Sequence, residues 1–310
     1  MSLPLIAFIF PGQGAQTVGM GKELAGLYSV ARHTFQEADE ALGMSISQLC
    51  FEGPEDQLRM TEITQPAILT MSTAVLRVLQ EKGIVPQFVA GHSLGEYSAH
   101  VAAGTISFAD AVRTVRNRGR YMQEAVPAGE GGMAAILGMS PDQVQQVCAD
   151  AAEGEVVSPA NINSPEQIAI SGHLKAVERA AELAKQRGAK KARMLQVSAP
   201  FHCALMQPAQ DRLAQDLHQL QFINPRIPVV SNIDGEPKTS GDASRQALIQ
   251  QVTGAVQWTG CMQKLIGLGV QQYIEVGPGK VLCGLMRQID RSQICMNVED
   301  ETSLQKAIAK

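Results

Sequence analysis

No apolar run in this chain of 310 residues is long enough to span a bilayer. The apolar start from Leu3 to Phe10 has no basic flank and runs into a Pro-Gly pair, so we expect a first strand there rather than a signal peptide. The six cysteines form no C-x-x-C pair and no Cys/His ligand spacing, which predicts neither a zinc site nor a disulfide framework. These absences favour a cytoplasmic protein without a membrane segment.

Basic charge is not in excess either, because 26 Lys and Arg stand against 30 Asp and Glu. A general nucleic-acid binder takes most of its affinity from a basic surface, so the net charge of −4 argues against that class. No heptad run predicts a coiled-coil oligomer, and we expect a monomer. A hydrophobic content of 45% and a charged content of 18% are ordinary for a globular protein.

Strands and helices alternate along most of the chain. Apolar periodicity predicts strands at 5–10 and 88–90 and helices at 20–41 and 67–82, an order typical of an α/β fold with a parallel sheet. Between 133 and 197 the order changes to β-α-β-β-α-β, the split βαβ or ferredoxin-like unit. We therefore expect a large α/β-hydrolase-like subdomain (1–128 and 199–310) with an inserted ferredoxin-like small subdomain (129–198).

Residues 91–95 read Gly-His-Ser-Leu-Gly, the G-x-S-x-G pattern of a nucleophile elbow. The pattern needs a strand before it and a helix after it, and both are predicted here, with Gly104 placed to end the helix. The glycines are required because a turn this sharp leaves no room for a β-carbon. Ser93 is the candidate nucleophile of an acyl-transfer enzyme, against the alternative of a serine in an ordinary loop.

A serine nucleophile needs a base, usually a histidine. His202 lies in Ala-Pro-Phe-His-Cys (199–203), a turn at the subdomain junction where sites commonly form. His92 does not suit the role of base, because side chains adjacent in a sharp turn point apart, so it either lines the pocket or supports the turn. No Asp or Glu stands out as a third triad member, and a backbone carbonyl could orient the imidazole to give a Ser-His dyad.

Arg118 occupies an apolar stripe with Ala111, Val115 and Met122 on a predicted helix. A buried arginine needs a partner, and its planar guanidinium binds a carboxylate with two parallel hydrogen bonds. Either a protein carboxylate pairs with Arg118, or a substrate carboxylate does.

The turn Pro-Gly-Gln-Gly-Ala-Gln (11–16) follows the first strand, so its amides and Gln13 could face a bound anion. It does not match a nucleotide-binding loop, since Thr17 stands where a Rossmann fingerprint needs glycine. The alternative is a plain turn.

With these residues in place, the chain closely resembles the malonyl-CoA:acyl carrier protein transacylases of bacterial fatty acid synthesis and the related acyltransferase domains of polyketide synthases. The resemblance runs nearly end to end. Its motifs are Phe-Pro-Gly-Gln-Gly from residue 10, Thr-Gln-Pro-Ala from 64, Gly-His-Ser-Leu-Gly-Glu-Tyr from 91, Arg-Gly from 118, Asn-Ile-Asn-Ser-Pro from 161, His202, and Glu-Val-Gly-Pro-Gly from 275.

The resemblance implies a role for each site residue. Ser93 would be the nucleophile, His202 the general base and acid, and Arg118 the clamp for the malonyl carboxylate. Gln13 and Leu94 would supply the oxyanion-hole amides, and the backbone carbonyl of Gln251 would hold the histidine. His92, Asn161 and Asn163 would line the pocket. The bulky Phe201 would disfavour an α-methyl substituent.

The resemblance also implies the substrates. Malonyl-CoA and holo acyl carrier protein would react in turn through a malonyl-serine, without a metal or bound cofactor. An acidic carrier protein needs a basic docking surface. The candidates are Arg187 with Lys190, Lys191 and Arg193, or Lys280 with Arg287 and Arg291, although ordinary solvated side chains explain either cluster equally well.

Three other functions stay open. A discrete acyltransferase of a polyketide pathway carries the same motifs, and a thioester hydrolase uses the same Ser-His pair. A non-catalytic module that binds the carrier protein is disfavoured by the intact Ser93 and His202.

Overall fold

The structure is a computed structural model that describes residues 4–309, so Leu3 of the expected first strand lies outside it. From residue 4 up to Glu124, the chain forms two parallel strands and seven helices. They are β1 (Ile6–Phe10), α1 (Lys22–Leu27), α2 (Ser29–Leu42), α3 (Ile46–Glu52), α4 (Glu55–Leu58), α5 (Thr61–Glu81), β2 (Phe88–Gly91), α6 (Gly95–Ala102) and α7 (Phe108–Glu124).

Two helices differ from the sequence prediction. The single helix expected over 20–41 is divided, because Tyr28 has an extended backbone between α1 and α2. Helix α5 begins at Thr61, several residues before the expected start, although Pro66 lies inside it. The side chains from Ile63 to Pro66 are all buried, and this burial outweighs the preference of proline for a helix start.

The middle of the chain forms a second sheet of four strands in the order β4-β5-β3-β6, and every neighbouring pair is antiparallel. Two helices pack on it and share its buried apolar cluster. The elements are β3 (Gly131–Leu137), α8 (Pro141–Ala151), β4 (Val157–Ser164), β5 (Gln167–His173), α9 (Leu174–Gln186) and β6 (Lys191–Met194).

The remaining chain returns to the first sheet. After a short 3₁₀ turn (Ala204–Met206) come α10 (Gln207–Gln219), β7 (Val229–Val230), β8 (Pro237–Lys238), α11 (Gly241–Gln250), α12 (Trp258–Gly267), β9 (Gln272–Val276), α13 (Val281–Ile289), β10 (Ile294–Val298) and α14 (Glu301–Ile308). The sequence patterns did not predict the helices α3, α4, α12 and α14 or the strands β8 and β10.

The larger sheet determines where a site can form. Its six strands run in the order β10-β9-β1-β2-β7-β8, parallel except for the edge strand β8. Helices cover both faces, and the central strand β1 is buried at four of its five residues, as expected of a strand in a parallel sheet. The carboxyl ends of β1, β2 and β7 meet at one edge, which is where ligands bind in such sheets.

The expected absence of a disulfide is wrong for one pair of cysteines. Cys283 on α13 and Cys295 on β10 are disulfide-bonded, with their Cα atoms 5.3 Å apart. Helix α13 packs against β10, and this tertiary contact brings together two cysteines whose spacing matches no known motif. The other four cysteines are free and buried.

Within residues 4–309, no helix has the length and apolar composition needed to cross a membrane.

Candidate active site

Ser93 lies in the sharp turn between β2 and α6, with a left-handed backbone (φ 52°) that is unusual for a residue with a side chain. The glycines on either side allow the turn to close. A β-carbon on Gly91 would lie 1.9 Å from the carbonyl carbon of Gly95, and one on Gly95 would lie 2.1 Å from the carbonyl oxygen of Phe10. The turn therefore has the form of the predicted nucleophile elbow.

The structure places His202, the candidate base, beside Ser93. Its Nε2 lies 2.7 Å from Ser93 Oγ, and its Nδ1 lies 2.9 Å from the backbone carbonyl oxygen of Gln251. A carbonyl can only accept, so Nδ1 carries the proton and Nε2 is free to take the hydroxyl proton. Burial, and after it the charge of Arg118, lowers the pKa of His202 to about 3, which keeps the resting imidazole neutral.

Arg118 is 1% exposed and donates only to neutral groups. Its Nη1 donates to Gln65 Oε1 at 2.8 Å, and its Nη2 donates to Gln251 Oε1 at 2.9 Å and to Ser93 Oγ at 3.1 Å. None of the ion pairs among residues 4–309 includes it. Of the two alternatives for this arginine, pairing with a protein carboxylate is therefore not observed.

Gln251 connects the three residues that the sequence singled out. Its backbone carbonyl accepts from His202, and its side-chain oxygen accepts from Arg118. Its side-chain nitrogen donates to the backbone oxygen of Ser93 at 2.9 Å. A fully buried glutamine thus occupies the place of a triad carboxylate, and it contacts the serine and the arginine as well.

The backbone N–H groups next to Ser93 differ in their hydrogen bonding. The N–H of Ser93 donates to Asn232 Oδ1 at 2.7 Å, so it is not available to a substrate. The N–H groups of Gln13 and Leu94 make no hydrogen bond within residues 4–309, and both residues line the cavity. Two unpaired donors beside a nucleophile can stabilise a developing oxyanion.

A cavity of about 330 Å³ opens in front of Ser93, between the carboxyl edge of the larger sheet and the second sheet. The predicted residues Gln13, His92, Asn161, Asn163 and Phe201 all line it. Gln251 does not line it, because it lies behind Arg118 with no exposed surface.

The imidazole of His92 makes no hydrogen bond to Ser93 or His202 within residues 4–309. Its Nε2 lies 2.8 Å from Asn163 Oδ1, and its ring packs against Trp258 with the centroids 5.5 Å apart. Burial lowers the pKa of His92, so its imidazole is an uncharged part of the pocket wall.

Three residues around the site escaped the sequence analysis as site residues: Gln65, Glu96 and Asn232. Gln65 was noted only as part of a motif, and its signal is a polar side chain in a buried helical run. Asn232 lies just after β7, at the carboxyl edge of the sheet, a position where polar residues often belong to a site. Glu96, like Gln65, was included only as part of a motif, the one that contains the elbow. The residues that the structure describes contain no cluster of three potential metal ligands.

The sequence pattern of the acyl transferase domain family matches residues 7–307. The chain belongs to that family. This acyltransferase is 52% identical over 284 residues to the malonyl CoA-acyl carrier protein transacylase of Escherichia coli K12, covering 91% of this chain and 92% of that protein. It is 49% identical over 304 residues to the enzyme of the same name from Bacillus subtilis, covering 98% of this chain and 96% of that protein.

Solved structures resemble this acyltransferase along its whole length. The malonyl CoA-acyl carrier protein transacylase of Coxiella burnetii superposes with a TM-score of 0.97 at 43% identity, covering 99% of this chain and 98% of that one. A malonyl-transacylase in complex with its type II polyketide synthase acyl carrier protein gives a TM-score of 0.96 at 46% identity, covering 98% of this chain and 99% of that one.

Proposed function

We propose that this acyltransferase moves the malonyl group from malonyl-CoA to the phosphopantetheine thiol of acyl carrier protein through a malonyl ester on Ser93. The observation that carries the proposal is Arg118, a buried cation with only neutral partners whose Nη2 lies 3.1 Å from the nucleophilic oxygen. A substrate with a carboxylate close to its reacting carbonyl supplies the missing counter-charge.

In the first half-reaction, Ser93 Oγ attacks the thioester carbonyl while its proton passes to Nε2 of His202. The backbone N–H groups of Gln13 and Leu94 hold the oxyanion, and such donors stabilise a transition state by about 3–4 kcal/mol each. The carbon–sulfur bond then breaks, and the protonated His202 gives its proton to the sulfur of CoA. Malonyl-Ser93 remains.

In the second half-reaction, the carrier-protein thiol takes the place of CoA. His202 removes the thiol proton, the sulfur attacks the ester carbonyl, and the same two amides hold the second oxyanion. The carbon–oxygen bond breaks, and Ser93 recovers its proton from His202. The proton of Ser93 leaves on the thiol of CoA and is replaced by the proton of the carrier-protein thiol, so the enzyme ends the cycle in its starting state and neither half-reaction calls for a metal or bound cofactor.

The remaining pocket residues shape the substrate site. Asn161, Asn163 and His92 form its polar wall, and Phe201 occupies space next to the α-carbon of the bound malonyl group. A methyl-sized mismatch in a pocket is worth about 1–3 kcal/mol, which gives a preference for malonyl over methylmalonyl groups.

The nature of the acceptor separates the competing functions. The curated relatives are named for transfer to a carrier protein, which favours that acceptor over the water of a hydrolase. A carrier protein of a polyketide pathway is the second candidate, because one solved relative is a complex with such a carrier.

We also propose the two-subdomain division of the fold. The larger sheet with its elbow is α/β-hydrolase-like and comprises 1–128 and 199–310. The antiparallel order β4-β5-β3-β6, built from a β-α-β-β-α-β segment, supports a ferredoxin-like small subdomain over 129–198. We expect a cytoplasmic monomer, and the mass in solution tests the oligomeric state.

Intact mass measurement tests the function. Brief incubation with malonyl-CoA should add one malonyl group to the wild type and none to Ser93→Ala, and the group should move to holo acyl carrier protein on its addition. An adduct that decays to free malonate without transfer supports the hydrolase instead. No adduct on the wild type contradicts both.

A further inference from the structure

A fully buried amide side chain, that of Asn232, is hydrogen-bonded to the backbone of the elbow at two points, Gly91 and Ser93. Asn232 follows β7, the strand next to β2 in the sheet, and has no exposed surface. Its Oδ1 accepts from the backbone N–H of Ser93 at 2.7 Å, and its Nδ2 donates to the backbone oxygen of Gly91 at 2.7 Å. One side chain therefore fixes the backbone carbonyl of Gly91 and the backbone N–H of Ser93.

This bracing matters because Ser93 has a left-handed backbone (φ 52°), and such a conformation persists only when surrounding contacts enforce it. The backbone N–H and C=O of Ser93 are both bonded to buried side chains, the N–H to Asn232 and the C=O to Gln251. Because the N–H of Ser93 donates to Asn232, the oxyanion is held instead by the backbone N–H groups of Gln13 and Leu94.

Asn232 is connected to the other catalytic groups through Glu96. The Oε2 of Glu96 accepts from the backbone N–H of Asn232 at 3.2 Å and from Nε2 of Gln251 at 2.6 Å. Gln251 in turn holds His202 and Arg118, so nucleophile, base and clamp are tied to one buried network.

We propose that Asn232 is a positioning residue for acyl transfer, which sets the conformation of the Ser93 turn and, with Glu96, the place of Gln251. It touches no reacting atom. The proposal rests on Ser93 being the nucleophile of the proposed function, and it adds a residue that acts before substrate is bound.

The test uses two readouts of Ser93. Single-turnover acylation by malonyl-CoA depends on the whole site, whereas covalent labelling by a fluorophosphonate depends on the Ser-His pair and the elbow without the arginine clamp. Asn232→Ala should slow both on the order of 10- to 100-fold, since small misplacements of a reacting group cost up to that much. In steady state the loss should fall on kcat, with little change in KM for malonyl-CoA.

Thr34→Val is the matched control. Thr34 is also fully buried, outside the residues that line the cavity, and its hydroxyl donates to the backbone oxygen of Val30 and accepts from Arg77. This variant loses both hydrogen bonds but should acylate and label at wild-type rates. A slow Asn232→Ala beside an unaffected Thr34→Val excludes the loss of buried hydrogen bonds as such as the cause.

Asn232→Asp decides the matter if Asn232→Ala does not fold. The aspartate side chain has the same size as asparagine and still accepts from the N–H of Ser93, but when ionised it cannot donate to the carbonyl of Gly91. We therefore expect a smaller loss in both readouts than for Asn232→Ala. Wild-type rates in a folded Asn232 variant overturn the positioning role. If the wild type itself forms no adduct on Ser93, the proposed function fails instead, so the two failures are distinguishable.

Discussion

The guanidinium of Arg118 donates a hydrogen bond of 3.1 Å to Oγ of Ser93. The buried cation therefore lies against the oxygen that we propose as the nucleophile, and a carboxylate bound to it has its nearby carbons next to Ser93. This short separation suits a substrate whose carboxylate and thioester are one carbon apart, as in a malonyl group. It also makes the arginine a partner of the nucleophile rather than a remote part of the pocket.

Arg118→Ala should abolish the preference for malonyl groups. Losing one partner of a buried charged pair costs about 2–5 kcal/mol, so we expect kcat/KM for malonyl-CoA to fall at least 30-fold while acetyl transfer rises. Arg113→Ala is the control, because Arg113 is exposed on the same helix and pairs with Asp110. Steady-state rates with malonyl-CoA and acetyl-CoA measure the change, and unchanged malonyl transfer refutes the clamp.

Phe201→Ala should relax the discrimination against α-methyl groups. Phe201 lines the cavity next to His202, so its truncation opens space beside the acyl chain. We expect the ratio of methylmalonyl to malonyl acylation to rise about 10-fold, within the range for one methyl-sized contact. Phe222→Ala truncates a half-buried ring that does not line the cavity and should leave the ratio unchanged. An equal ratio in both variants excludes Phe201 as the selective contact.

The two basic clusters differ in part in their ion pairing. Lys190 pairs with Glu166 and Arg187 pairs with Asp150, whereas none of the ion pairs within residues 4–309 includes Lys191 and Arg193 of the first cluster or Lys280, Arg287 and Arg291 of the second. Helix α13, which carries Arg287, also lines the mouth of the cavity through Val281 and Leu285.

Charge reversal tests these clusters as docking surfaces. Arg287→Glu combined with Arg291→Glu should raise KM for the carrier protein about 10-fold at low salt and leave acylation by malonyl-CoA unchanged, because like charges repel an acidic partner. Lys190→Glu with Lys191→Glu is the comparison and should have the smaller effect. If only the second pair slows transfer, the carrier binds at the second sheet instead.

His100 should make the protein less stable in acid. It is fully buried on α6, neither ring nitrogen has a partner within residues 4–309, and burial lowers its pKa to about 3. Since the unfolded imidazole keeps its ordinary pKa of about 6.5, protonation favours unfolding increasingly as pH falls below that value.

His100→Leu removes this penalty. On lowering the pH from 7 to 5, the free energy of unfolding of the variant should fall by about 2 kcal/mol less than that of the wild type. Urea denaturation at the two pH values measures the difference. Parallel pH dependences in the two proteins would show that His100 does not titrate as its burial predicts.

The local features of the fold and site followed from the sequence. The elbow at Ser93, the strand before it and the helix after it were predicted, because a sharp turn needs glycine and each element has its own apolar period. Arg118 was singled out for the same kind of reason, since a charged residue within an apolar stripe is visible in the helical repeat. The separate helices α1 and α2 and the early start of α5 were missed, because packing overrode the local preferences there.

Only the tertiary structure decided what surrounds these residues. Periodicity left the partners of Arg118 open. The fold brings to its guanidinium the side chains of Gln65 and Gln251, which are 53 and 133 residues away along the chain. The bracing of Ser93 by Asn232 spans 139 residues, and the Cys283–Cys295 bond depends on α13 packing against β10. A local pattern records which face of an element is buried, whereas the residues that meet there are determined by the order of the strands in the sheet.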